Sequence, residues 1–98
     1  MERKRIQIID LDQYEKEILG MVVHAESYAT ILGEFSGDSF ILGDCLRNLV
    51  RRKVLHLLEW NEKGQVWERR MIYDADKLSE YRYQLSSLGL NMLEHKNE

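Results

Sequence analysis

The sequence predicts an α+β domain: three helices, a β-hairpin, a short strand and a closing helix. Three observations lead there. Residues 42–55, LGDCLRNLVRRKVL, place apolar side chains at Leu42, Cys45, Leu46, Leu49 and Val50. That is the i, i+3, i+4, i+7, i+8 spacing of a helix with one buried stripe. Two strand-like runs, VLHLLEW at 54–60 and QVWERRMIY at 65–73, flank the turn sequence NEKG at 61–64. Tyr81, Tyr83 and Leu85 alternate with polar residues, the period of a strand with one face in a core.

The elements follow in order. RIQII at 5–9 carries β-branched residues and reads as a short strand. Asp10 is placed to cap the first helix, with Gln13 at the third position of a capping box. That helix is expected over residues 11–25, with Leu11, Tyr14, Ile18, Met21, Val22 and Ala25 as its apolar stripe. Ser27 can cap a second helix over residues 28–35, facing Ala29, Leu32 and Phe35 inward. SGDS at 36–39 is a turn cluster, and Asp38 or Ser39 can cap the third helix. NEKG, with Asn first and Gly last, suits a type I turn with a glycine bulge. Residues 74–80 are polar and read as a loop. Ser86 can cap the last helix, which runs to Leu93, and HKNE is a tail.

Ninety-eight residues make one domain, 1–98. A chain of this length buries roughly 65% of its unfolded surface, enough for one core without staples. Apolar residues at 44% and charged residues at 32% are ordinary for a globular domain. Every apolar run falls short of the roughly 20 residues that span a bilayer. The start, MERKRIQII, lacks the apolar stretch and cleavage site of a signal peptide. A single cysteine, Cys45, allows no internal disulfide and no zinc cluster. A cytoplasmic protein is expected. The net charge of −3 argues against a nonspecific nucleic-acid binder. Basic residues nonetheless cluster at 3–5, 47–53 and 69–70, and acidic ones at 10–17, with Glu26, Glu34, Asp38 and Asp44 beyond.

Helix, helix, helix, hairpin, strand, helix is the order of a winged helix-turn-helix domain, and two stretches resemble that superfamily. Residues 46–55, LRNLVRRKVL, are similar to the L-x-x-L-x-x-x-G-L-V that ends a recognition helix and starts the wing. Residues 83–89, YQLSSLG, are similar to the Y-x-L-T-x-x-G that follows the wing in many bacterial and archaeal regulators of the MarR and PadR sort. The element order covers about residues 11–93, whereas the two motifs cover only these short stretches. Lys53 stands where the pattern has glycine. A left-handed residue is expected there, at a cost of roughly 1 kcal/mol to lysine. The stretch between the first wing strand and Tyr83 is long, so the wing is enlarged or carries an extra strand.

The resemblance implies a DNA-binding regulator that acts as a homodimer on double-stranded DNA, with the third helix in the major groove. Arg47, Asn48 and Arg51 then become base or phosphate contacts, joined by Arg52. Arginine forks onto guanine and asparagine onto adenine. Ser39, Phe40, Ile41 and Gly43 would approach the duplex from the helix start. Lys63 at the wing tip, and Arg3, Lys4 and Arg5 as an arm, would reach phosphates. The plainer reading is a solvated helix face with Asp44–Arg47 and Asp44–Asn48 pairs. An interaction module that binds a protein partner and no DNA is the competing function, favoured by the acidic balance, by Asp38 and Asp44, and by Phe40 and Ile41.

Other residues point to no chemistry. Cys45 lies on the apolar stripe as a core residue. His24, His56 and His95 have no metal-ligand spacing, and no cofactor is implied. Trp60 and Trp67 are expected to pack, one face of the hairpin against the helices and the other under some cover. There is no phosphate-cradling glycine loop and no nucleophile elbow, so an enzyme is the least supported class.

Overall fold

The computed structural model describes residues 11–95. In chain order its elements are α1 (Gln13–Met21), β1 (Glu26–Ser27), α2 (Tyr28–Glu34), α3 (Ser39–Arg51), β2 (Leu55–Asn61), β3 (Val66–Arg70), a 3-10 turn (Ala75–Glu80), β4 (Arg82–Leu85) and α4 (Ser87–His95). The strands form one antiparallel sheet in the order β1-β4-β2-β3. Together these make a small α+β domain. The expected strand at 5–9 and the basic cluster at 3–5 lie outside the described residues.

α1 starts later than Asp10 and Gln13 would place it. Its capping box is Asp12 with Glu15: Asp12 Oδ1 accepts from the Glu15 N–H at 2.8 Å, and Glu15 Oε1 accepts from the Asp12 N–H at 3.2 Å. It also ends at Met21, short of Ala25. The chain leaves the helix there because the sheet claims it. The Val22 carbonyl accepts from the Leu85 N–H at 2.8 Å, and Glu26 and Ser27 pair with Tyr83 and Arg82 as β1. α2 is capped by Ser27 as expected, but its buried line is Ile31 and Phe35, four residues apart. Ala29, two residues from Ile31 and so on the far side of the helix, is exposed.

α3 is capped by Asp38, whose Oδ1 accepts from the Ile41 N–H at 2.9 Å. It ends as its sequence predicts. Lys53 holds φ at 64°, in the left-handed region. The Lys53 N–H donates to Val50 O at 3.0 Å and the Val54 N–H to Leu49 O at 2.9 Å. These are the paired bonds of a Schellman motif, with Leu49 and Val54, both fully buried, as its apolar contact. At the β2–β3 connection the left-handed residue is Gln65 (φ 55°), not Gly64. Asn61 Oδ1 accepts from the Lys63 and Gly64 N–H groups, closing the turn from its first residue. The Gln65 amide donates to Glu62 O at 2.7 Å and helps to hold the left-handed residue.

β3 and β4 both run antiparallel to β2 and flank it on opposite sides. They are therefore parallel to each other, and residues 71–81 must cross over β2. The polar stretch read as a loop becomes the 3-10 turn within this crossover. Two tyrosine hydroxyls fasten it. Tyr83 Oη donates to Leu78 O at 2.7 Å, and Tyr81 Oη accepts from the Asp74 N–H at 3.0 Å. Burial pushes the Tyr83 phenol pKa up, so it stays a donor.

The core lies between the helices and the inner face of the sheet, where Ile18, Ile31, Leu42, Leu46, Leu49, Leu57 and Tyr83 are essentially inaccessible. The YQLSSLG stretch is a clamp on this core. Ser86 Oγ lies 2.6 Å from Lys53 O and 2.9 Å from Val54 O, and accepts from the Gly89 N–H at 3.1 Å. A Cβ on Gly89 would stand 2.3 Å from Val54 O, so only glycine lets α4 approach the end of α3 this closely. The outer face of the hairpin is partly self-covered, with Trp60 and Trp67 edge to face at 5.5 Å and Arg82 over the Trp67 ring at 4.8 Å.

Candidate nucleic-acid interface

α3 presents an outward line of Phe40, Asp44, Arg47, Asn48 and Arg51, because its other side is the buried Leu42, Cys45, Leu46 and Leu49. Its two halves have different neighbours. In the N-terminal half, Ser39 and Phe40 are exposed, and Phe40 is 84% accessible. Gly43, expected to approach a duplex, is buried beneath the crossover. A Cβ there would lie 3.6 Å from Leu78 Cδ1. The hollow beside it, about 300 Å³, is lined by Asp44 and Asp76 with Arg47 as its cation. Arg47 is paired with Asp44, as the plainer reading of the helix face expects. Asn48 does not join that pair; its Oδ1 accepts from Arg51 Nη2 at 2.7 Å.

Arg52, expected on the contact surface, turns inward. Its Nη2 lies 2.8 Å from Glu15 Oε2, joining the end of α3 to the start of α1. The Glu15 side chain is only 6% accessible, so this pair holds helices together. Asp12, Glu15 and Cys45 place one ligand atom each within 4.8 Å of one another. This cluster is invisible in the linear spacing. Its carboxylates are already engaged by backbone N–H groups and Arg52. Burial, then the charges of Asp12, Glu15 and Asp44, push the Cys45 thiol to about 11, so it is protonated at neutral pH.

The C-terminal half is different. Between α3 and the crossover lies a hollow of about 480 Å³ with Arg47, Arg51 and Lys53 on its walls and no lining carboxylate. It adjoins a notch of about 250 Å³ at the end of β3, lined by Lys53, His56, Arg69 and Arg70 over Val50 and Leu57, again without a carboxylate. Arg69 Nη1 lies 3.2 Å from His56 Nε2, and Arg70 Nε lies 3.1 Å from Glu59 Oε1. Burial, then the Arg69 charge, lowers the His56 pKa, so the ring is neutral at pH 7 and Nε2 acts as acceptor. Lys63 is exposed on the β2–β3 turn.

Phe40, Arg47, Asn48 and Arg51 thus share one helix face, Ser39 is exposed at the helix start on another side, Gly43 and Arg52 are withdrawn from the face, and Lys63 stands apart on the hairpin. No contact role is assigned to Lys53, His56, Arg69 and Arg70 from the sequence. The basic clusters at 47–53 and 69–70 were the signals, and the hairpin register that brings the second beside the first is not written in either cluster. Among the described residues no helix is long and apolar enough to cross a membrane. Comparison with protein-family models, curated proteins and solved structures finds no match to the chain.

Proposed function

We propose that this protein is a winged helix-turn-helix DNA-binding protein, a transcriptional regulator that binds double-stranded DNA as a homodimer through the C-terminal half of α3. The element order and the direct pairing of β2 with β4 support the fold reading, with β3 as the extra strand of the wing. The observation that carries the function is the basic tract of Arg51, Lys53 and Arg69 along two hollows that no carboxylate lines, with Arg47 and Arg70, each paired to a carboxylate, at its ends. Phosphate neutralisation needs clustered cations with few competing acids, and a local tract supplies this on a chain of net negative charge. Arg51, hydrogen-bonded to the neutral Asn48 amide, is the base-reading candidate. The test is binding to mixed-sequence duplex DNA across a salt series, with gel filtration for the oligomeric state. Tight binding at low salt that weakens steeply as salt rises supports the reading.

A protein-docking surface is the second reading, favoured by the exposure of Phe40 on α3 and of Met71 (78%) beside its last turns. A folded protein that ignores DNA at low salt would support it.

A further inference from the structure

The notch at the end of β3 combines two independent features. The first is its lining. β3 ends at Arg70 opposite Leu57, so Leu55 and His56 have no β3 partner, and the gap is walled by Lys53, His56, Arg69 and Arg70. At about 250 Å³ it has room for a tetrahedral anion with ordered water, given about 30 Å³ per water. Its walls are built from residues that carry guanidinium, ammonium and imidazole groups, and His56 keeps an N–H on Nδ1 when its Nε2 accepts from Arg69. Arg70 is held by Glu59, its Nε 3.1 Å from Oε1, and projects to the sheet face opposite that of Arg69.

The second feature is Lys53 itself. It occupies a left-handed position where glycine is cheaper. The bonds that close the helix end there are all made by backbone groups and Ser86. The lysine side chain contributes nothing to that closure. Strain of this kind persists where the side chain has other work, and this one lines the notch.

We propose that the notch is a phosphate-binding site, with Arg69 gripping the oxygens and Lys53 supplying the opposing charge. Only the source of the phosphate rests on the duplex reading. A DNA backbone and a free phosphorylated ligand present the same group.

The probe is inorganic phosphate, titrated at fixed pH and constant ionic strength against chloride, with the ring signals of His56 read by NMR. His24, exposed after α1, is the control. The expected result is a saturable shift of His56 that chloride does not produce and His24 does not share. Lys53→Gly should raise the melting temperature yet weaken phosphate by roughly tenfold, the scale of one lost charge-assisted bond. Lys53→Arg should retain binding. A His56 signal that phosphate leaves unmoved, or one that moves only as His24 does, overturns the proposal. So does a more stable Lys53→Gly that binds phosphate as tightly as the parent. A duplex that displaces phosphate supports the backbone as its source. Saturable phosphate binding that a duplex does not disturb supports a free phosphorylated ligand and removes the notch from the duplex surface.

Discussion

Toward the crossover, the first turns of α3 meet Asp44, Asp76 and the cover of Leu78, while its last turn opens onto Arg51, Lys53, Arg69 and Arg70. Both halves belong to one helix with one buried stripe. The contrast comes from the neighbours of the helix: the crossover sets Asp76 beside its start, next to the helix's own Asp44, and the β2–β3 hairpin returns Arg69 and Arg70 beside its finish. A recognition surface is therefore set by what the rest of the chain brings to a helix as much as by the helix sequence. The net charge of −3 carries no trace of this local arrangement.

The largest test of that contrast is affinity for a duplex. Arg51→Ala combined with Arg69→Ala should cost about 2–6 kcal/mol of binding, from roughly 1–3 kcal/mol per lost contact. Ser39→Ala combined with Phe40→Ala should change it less than about twofold, since these side chains lie on the acid-lined half. Fluorescence anisotropy reads both, and equal losses would erase the distinction between the halves.

Next in size is the clamp that fixes the basic end. Gly89→Ala pushes a methyl against the Val54 carbonyl, and overpacking of this kind costs about 1–3 kcal/mol of stability. Chemical denaturation measures it. The same substitution at Gly33, where a Cβ meets nothing within 4 Å, should be tolerated and stabilise by about 0.5–1 kcal/mol through helix propensity.

Lys53→Gly comes third. Relief of the left-handed lysine should stabilise the fold by about 1 kcal/mol, a rise of about 4–8 °C in Tm for a domain this size. Unchanged Tm would mean that the side chain stabilises the folded state by as much as the backbone strain costs.

The smallest effect sharpens the acidic half. Asp44→Asn removes the partner of Arg47 in an exposed pair, so stability should move by less than about 0.5 kcal/mol. Duplex affinity should rise a few-fold as Arg47 is released.

Much of this was legible in the residues. Asp38, Ser27 and Ser86 cap the helices as their positions suggest, and Lys53 takes the left-handed conformation that its place after α3 demands. Local rules govern those features. The end of α1, the two-residue β1 and the crossover were not legible, because each depends on β4, some sixty residues away for α1 and β1. Gly43 and Arg52 misled for the same reason. Their partners, Leu78 and Glu15, belong to other elements, and helical periodicity alone cannot show which neighbour arrives.

The measurement to make first is the salt dependence of duplex binding for the parent and for Lys53→Ala combined with Arg69→Ala. If the basic half of α3 and the end of β3 hold the backbone, the slope of log K against log salt is steep in the parent. It should fall by about 2 in the double variant, roughly 1 for each phosphate contact removed. An unchanged slope, or a folded parent that does not bind at low salt, would contradict duplex binding through this half of the helix.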